Sequence, residues 1–121
     1  MTIGVGLDIC EIGRMAKMLE KETFLQRYFT EEEIAYIHSR GQNAAATLAG
    51  IFAAKEAAAK ALGTGIAFDL KDVSVVHSEA GMPQYRLSGK AAELGNGCHF
   101  FLSISHDGGI AGAVCIRDDG K

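Results

Sequence analysis

The sequence predicts an α+β fold in which a small antiparallel sheet packs against one long, alanine-rich helix. Helical spacing of apolar residues and helix-capping patterns concentrate in the first half of the chain. The second half instead alternates apolar and polar residues with period two, interrupted by glycine-containing turns. Helices early and strands late favour α+β over a regular α/β alternation. A length of 121 residues fits a single domain spanning 1–121.

Composition excludes several classes of protein. Hydrophobic residues make up 48% of the chain, which argues against disorder, and the net charge of −3 argues against binding nucleic acid through bulk positive charge. The three cysteines are widely spaced and form no C-x-x-C, so we expect neither a disulfide framework nor a zinc knuckle. This pattern favours a reducing cytoplasm, and we expect no signal peptide and no membrane span.

The first half opens with a strand. The β-branched run over 3–7 predicts a buried strand that ends at Asp8. Apolar residues then recur at helical spacing and predict an amphipathic helix: Ile12, Met15, Ala16 and Leu19. An aromatic cluster predicted to enter the core follows: Phe24, Leu25, Tyr28 and Phe29.

Capping patterns mark the next two helices. Thr30-Glu-Glu-Glu33 is a capping box, in which each end residue bonds the backbone N–H of the other, and it predicts a helix that runs to about Arg40. Gly41 ends that helix, and Asn43 caps the next one. The alanine-rich helix runs to Leu62 and ends at Gly63, since glycine adopts left-handed dihedral angles readily.

The second half predicts hairpins around a short helix. Strands are expected over 72–77 and 84–87 around a turn at 79–83, followed by a helix over 88–94 closed by Gly95. A clean alternation predicts a strand over 98–106, and a turn at 107–109 leads to the last strand over 111–116.

The alanine-rich helix carries the clearest candidate site. Glu56 and Lys60 are four residues apart and project from one face, whereas Lys55 points elsewhere. A carboxylate and an ammonium on a face of methyl groups, followed by Gly63-Thr-Gly65, suit a bound metal and phosphates. An exposed ion pair on a stable helix is the alternative, and such pairs contribute only tenths of a kcal/mol.

Asp8 is the second candidate. An aspartate between a strand and a helix is often a helix N-cap. It is also the ligand type that Mg²⁺ prefers, with one or two protein carboxylates completed by phosphates and water.

Other motifs fail on inspection. Gly4-Val-Gly6 lacks the third glycine of a dinucleotide-binding loop, because position 9 is isoleucine, and no phosphate-binding P-loop occurs. Ser105-His106-Asp107 cannot form a hydrolytic triad, because adjacent strand residues point to opposite faces. His106, at a strand end, remains either a turn residue or a ligand contact.

Three blocks together resemble the bacterial holo-acyl-carrier-protein synthases, the short 4′-phosphopantetheinyl transferases. They are Gly4-Val-Gly-Leu-Asp8 with its continuation to Arg14, Phe52-Ala-Ala-Lys-Glu56-Ala-Ala-Ala-Lys60 with its continuation to Ile66, and Ser103-Ile-Ser-His106. The resemblance covers essentially the whole chain, in the family's order and length.

The resemblance implies a reaction that supports fatty acid biosynthesis. The 4′-phosphopantetheine arm of coenzyme A moves to a serine of apo acyl carrier protein, and adenosine 3′,5′-bisphosphate leaves. The family's fold is α+β, and its active sites lie between the subunits of a homotrimer. Its metal carboxylates match Asp8 and Glu56, and its helix lysine matches Lys60, which makes these three the catalytic residues with Mg²⁺ as cofactor. The base that takes the serine proton is either Glu56 or a water on the metal.

The resemblance also implies binding residues. For coenzyme A they are Lys60, Gly63, Thr64, Gly65, Pro83, Ser105 and His106. For the carrier protein they are Arg14, with Met15 and Met18 beside it; an ordinary solvated arginine is the alternative for Arg14.

The sequence departs from the family where basic residues are common. Gln42, Asn43, Ile51 and Met82 stand at or near those positions, so fewer cations are available for the nucleotide phosphates. Two rival functions follow: another Mg²⁺-dependent enzyme acting on a nucleotide diphosphate, such as a hydrolase, and a catalytically weakened homologue that only binds coenzyme A or a carrier protein.

Overall fold

The computed structural model describes residues 1–65 and 67–121. Within them the chain forms five α-helices and five strands. Ile66, the last residue of the alanine-rich block, lies outside the described residues. The elements follow the predicted order: β1 (Thr2–Glu11), α1 (Ile12–Met18), α2 (Glu22–Tyr28), α3 (Glu31–His38), α4 (Ala44–Leu62), β2 (Val73–His77), β3 (Pro83–Leu87), α5 (Gly89–Leu94), β4 (His99–Asp107) and β5 (Ile110–Asp118).

The strands form two antiparallel sheets, which confirms the α+β class. One sheet has three strands in the order β1-β5-β4, and the other is the β2-β3 hairpin. Helix α4 packs along the three-stranded sheet, as predicted. It is apolar almost all round, with alanines buried on several faces, which is typical of a helix in the core of a domain.

The predicted end of β1 was wrong. Asp8 pairs with Ala113 of β5, and the ladder continues to Glu11, so Asp8 lies within the strand and caps no helix. The strand is also not buried on its apolar side. Four side chains there are 45–68% exposed: Ile3, Val5, Leu7 and Ile9.

Two glycines explain which face of β1 packs inward. A Cβ on Gly6 would lie 1.8 Å from the carbonyl oxygen of Ala57, and one on Gly4 would lie 2.2 Å from that of Ala61. Only a residue without a side chain lets the helix backbone come so close. Because side chains alternate along a strand, Asp8 lies on this same helix-facing side.

Some of the predicted helix caps are confirmed, but α3 ends at His38 with Ser39 as its C-cap, before the predicted Arg40 and Gly41. Thr30 and Glu33 form the reciprocal capping box, and Gly63 ends α4 with a φ of 75°. Asn43 occupies the N-cap position of α4 but makes no side-chain hydrogen bond there. The aromatic cluster packs as expected, with Phe24 5.9 Å from the ring of Phe52, although helix α2 itself was not predicted.

None of the helices in the described part of the chain combines the length and hydrophobicity needed to cross a bilayer.

Candidate active site

The close packing of β1 on α4 brings Asp8 and Lys60 together. Lys60 Nζ lies 3.2 Å from Asp8 Oδ1 and donates a hydrogen bond of 2.9 Å to the carbonyl oxygen of Leu7. Both side chains remain open to solvent, with the lysine 55% exposed. Two predicted site residues, 52 positions apart in sequence, therefore meet.

Glu56 lies one turn before Lys60 on α4, and its carboxyl interacts electrostatically with Asp8. Partial burial raises the pKa of the Glu56 carboxyl, the negative charge of Asp8 raises it further, and Lys60 opposes the shift. Two carboxylates and one ammonium thus share a small, half-buried region. Ionisation of both carboxyl groups is unfavourable at such a place unless a further cation binds to them.

The donor set at this region is small. No group of three or more His, Cys, Asp or Glu side chains that could hold a metal ion is found among the described residues. Asp8 and Glu56 could supply two carboxylate ligands, which is the number that Mg²⁺ commonly takes from a protein when phosphates and water complete its shell.

Gly63, Thr64 and Gly65 follow directly on α4 and are all exposed. Both glycines have positive φ angles, of 75° and 65°. The Thr64 hydroxyl donates to the carbonyl oxygen of Gly65 at 3.2 Å. The segment therefore presents its backbone to solvent at the end of the helix that carries Glu56 and Lys60.

Pro83 and His106 meet at a different place in the chain. They line one cavity of about 330 Å³ against the N-terminal half of α4. Gly50, on the same wall, is six residues before Glu56, or about 9 Å along the helix. Within one chain, Pro83 and His106 do not share a site with Asp8, Glu56 and Lys60.

The cavity has a cationic and aromatic lining. Among the described residues that form it, Arg40 is the only lysine or arginine, and none is Asp or Glu. Tyr36 stacks on His77 with ring centroids 4.0 Å apart, and the Arg40 guanidinium lies over the Tyr36 ring. Burial and the charge of Arg40 lower the pKa of His77.

Ser105 lies apart from this cavity. It follows Ile104, which lines the cavity, and strand alternation turns Ser105 to the opposite face of the sheet. Ser105 and His106 are adjacent in the chain, but only His106 lines the cavity.

The three residues predicted to meet a carrier protein differ in exposure. Arg14 is exposed, and Met18 is partly so. Met15 is only 2% exposed and belongs to the hydrophobic core. Its inclusion as a surface contact is corrected: the apolar side of α1 packs against α4, and Met15 is on that side.

Sequence reasoning missed two features beside Glu56. The first is a cavity of about 540 Å³ that Glu56 lines together with four aromatic residues: Phe24, Tyr28, Phe52 and Phe68. The second is a fully buried ion pair between Lys55 and Glu33. A lysine inside a helix that is apolar on nearly all sides was the available signal for the second feature.

Comparisons with known proteins show the family of this chain. Residues 4–115 match the family model of the 4′-phosphopantetheinyl transferase superfamily. A holo-[acyl-carrier-protein] synthase from Treponema denticola is 42% identical over 96% of this chain and 98% of its own. One from Caldicellulosiruptor saccharolyticus is 40% identical over 98% of each chain.

Solved structures show the same fold. The holo-[acyl-carrier-protein] synthase of Helicobacter pylori, solved in complex with coenzyme A, superimposes with a TM-score of 0.83 at 33% identity, covering 94% of this chain and 99% of that one. The Bacillus anthracis synthase, solved in complex with CoA (3′,5′-ADP), gives 0.84 at 34% identity, covering 99% of each chain. The chain therefore belongs to the holo-[acyl-carrier-protein] synthase family of the 4′-phosphopantetheinyl transferase superfamily.

Proposed function

We propose that this protein transfers the 4′-phosphopantetheine arm of coenzyme A to a serine of apo acyl carrier protein, in support of fatty acid biosynthesis. The serine oxygen forms a bond to the phosphorus nearer the pantetheine, the bond from that phosphorus to the bridging oxygen breaks, and adenosine 3′,5′-bisphosphate leaves. The observation that carries the proposal is the convergence of Asp8, Glu56 and Lys60 in a chain of this family.

We propose Asp8 and Glu56 as the ligands of Mg²⁺. Burial raises the pKa of Glu56 most, and the negative charge of Asp8 adds to it; a divalent cation would relieve that added repulsion, which supports this. When bound, Mg²⁺ would offset the negative charge that develops on the phosphoryl oxygens.

The protein's own side chains have separate tasks in this reaction. Lys60 holds an ammonium beside Asp8, where it can also contact a phosphate oxygen. Glu56 makes no ion pair within 4.0 Å among the described residues, so its carboxylate is available to accept the serine proton. Gly63, Thr64 and Gly65 offer backbone N–H groups to the phosphates, as exposed residues next to that helix face.

We assign the nucleotide end of coenzyme A to the cavity of Pro83 and His106. Its lining supports an anionic, aromatic ligand, because Arg40 supplies a positive charge and Tyr36 and His77 supply flat rings. Arg40 would compensate for the basic residues absent at Ile51 and Met82. Ser105, on the opposite face, would contact coenzyme A only across a subunit boundary.

We propose a homotrimer with active sites between subunits. The outer face of the β1-β5-β4 sheet supports it, since Val5, Leu7, Ile9 and Phe101 are each at least 60% exposed. Contiguous apolar surface of this kind marks an interaction site. The distance between the Glu56 region and the Arg40 cavity within one chain also fits a site completed by a neighbour.

For the carrier protein we propose a contact with the exposed face of α1. Arg14 and Lys17 give this face positive charge, which suits an acidic partner, and Met18 adds partial apolar surface. The three cysteines are free thiols, which supports the cytoplasm as the place of the reaction.

Mass spectrometry of apo acyl carrier protein tests the function. After incubation with the protein, coenzyme A and Mg²⁺, the carrier should gain the mass of one phosphopantetheine. Cleavage of coenzyme A with an unmodified carrier would indicate a hydrolase instead. Intact coenzyme A and an unmodified carrier would indicate a binding protein.

A further inference from the structure

Every polar side-chain atom of the Lys55–Glu33 ion pair makes a hydrogen bond. Both side chains are fully buried, and Lys55 Nζ lies 2.7 Å from Glu33 Oε1. Glu33 also accepts hydrogen bonds from the backbone N–H of Thr30 and of Val75, at 2.9 and 2.8 Å. The carboxylate thus joins the start of α3 to β2.

The ammonium has a different set of partners. Lys55 Nζ donates to the carbonyl oxygens of Leu70 and Val73, at 3.0 and 2.9 Å. These carbonyls belong to the chain that returns along α4 after Gly63-Thr64-Gly65. Lys55 is therefore the point at which α4 fixes the far end of the segment that begins with those three residues.

Residues 68–70 form one wall of the aromatic cavity that Glu56 also lines. Phe68, Asp69 and Leu70 line the cavity together with Glu56, the residue next to Lys55 on α4. A change in the register of Leu70 against α4 would move this wall relative to the Glu56 carboxylate. Apolar packing could hold the two elements together, but it is not directional as hydrogen bonds to two carbonyls are.

We infer that Lys55 is a positioning residue for the transfer reaction, because its bonds to Leu70 and Val73 set the cavity wall beside Glu56. The inference rests on the proposed function. The two buried partners have different roles: Lys55 positions the wall, whereas Glu33 mainly neutralises Lys55 and closes the capping box.

Three variants test this. Lys55→Met removes the carbonyl bonds and the charge at similar side-chain length. Glu33→Gln is the matched control, because it removes the opposite charge but leaves both carbonyl bonds of Lys55 possible. The double variant Glu33→Met with Lys55→Met has no unpaired buried charge, and such apolar replacements of buried pairs are often tolerated.

The expected results differ among them. Glu33→Gln lowers the Tm but keeps most of kcat. Lys55→Met and the double variant lose about a hundredfold in kcat/KM, the size of effect expected from a misplacement of about 1 Å at a catalytic site. The amides of 71–73 are hydrogen-bonded to Asp69 and Leu70, so their hydrogen exchange should speed up in both, and not in Glu33→Gln.

Exchange is measured without turnover, so it tests the role of Lys55 even if the transfer assay fails. The inference is overturned if the double variant recovers Tm, kcat/KM and amide protection at 71–73 together. A double variant that does not fold also counts against it, because the pair would then serve folding. The inference is also overturned if Glu33→Gln and Lys55→Met lose kcat/KM to the same extent, in proportion to the decrease in Tm of each variant. The pair would then only stabilise the fold.

Discussion

Lys60 pairs with Asp8 across the contact between α4 and β1, at 3.2 Å, and not with Glu56 on its own helix. Among the described residues, Glu56 has no ion-pair partner within 4.0 Å. The Glu56 carboxylate is therefore the less neutralised of the two acids. Its pKa is raised first by partial burial and then by the negative charge of Asp8.

Glu56→Gln should abolish transfer and yet stabilise the metal-free protein at neutral pH. A carboxyl whose pKa is raised by folding is destabilising when ionised, so the wild type loses stability as the pH rises from the ordinary value of 4.5 through the raised one. Glutamine does not ionise, so the Glu56→Gln variant does not lose stability over this pH range. Thermal unfolding in a chelator should show a higher Tm for Glu56→Gln at pH 7 and no difference below pH 4.

Glu93→Gln on α5 is the control for that experiment, because Glu93 is 74% exposed. It should change neither Tm nor transfer. A lower Tm for Glu56→Gln at pH 7, or turnover retained in it, would remove Glu56 from the proposed site.

Gly6→Ala should be strongly destabilising. The added methyl would meet the Ala57 carbonyl at 1.8 Å, a backbone atom that cannot rotate away. Overpacking of this kind costs about 3 kcal/mol. Gly13→Ala in α1 is the control, since nothing lies within 4 Å of its added Cβ. Chemical denaturation should separate the two, and equal stability would contradict the close contact of β1 and α4.

Arg40→Gln should raise the KM for coenzyme A about tenfold, as expected when a charged hydrogen bond is lost. Its kcat should change little, because the cavity is remote from Glu56. Arg86→Gln is the control: Arg86 pairs with Glu32 at the surface and does not line the cavity. An unchanged KM in Arg40→Gln would remove the nucleotide from this cavity.

Val5→Asp should dissociate the proposed homotrimer. It places a charge on the outer sheet face, near the middle of the edge strand β1, where Val5 is 60% exposed in the single chain. Met82→Asp is the control, because Met82 is similarly exposed at 56% but lies in the turn before β3. Light scattering should give a smaller mass for Val5→Asp only. A wild-type monomer would refute the assembly itself.

Arg14→Glu should weaken binding of the carrier protein and leave coenzyme A binding unchanged. The reversal of charge on α1 replaces attraction by repulsion toward an acidic partner. Lys90→Glu on α5 makes the same change of charge elsewhere and should have no effect. Calorimetric titrations with each ligand would show this, and joint loss of both ligands would instead indicate a folding defect.

The sequence predicted the elements better than their orientation. Capping residues such as Thr30 and Gly63 act locally, so the start of α3 and the end of α4 could be located from the chain alone, whereas α2, which has no side-chain N-cap hydrogen bond, was missed. Alternation in β1 defines two faces but not which of them packs inward. That choice depends on how closely the α4 backbone approaches Gly6, a contact between residues about 50 positions apart.

The candidate site shows the same division. The resemblance placed Asp8 and Lys60 in one site, because whole blocks matched, but their ion pair was not predicted. The burial of Lys55 could not be predicted in this way. Its partners include the backbone carbonyls of Leu70 and Val73, and every residue type carries such a carbonyl. The role of Arg40 likewise depends on the folding of β2 and β3 beside α3.

The central claim is that Asp8 and Glu56 hold one divalent cation together. Anomalous diffraction from crystals grown with Mn²⁺ and coenzyme A tests it most directly. We predict a single peak per active site, with carboxylate oxygens of Asp8 and Glu56 both within about 2.3 Å of it. A peak bound by only one of these carboxylates, or by neither, would contradict the claim.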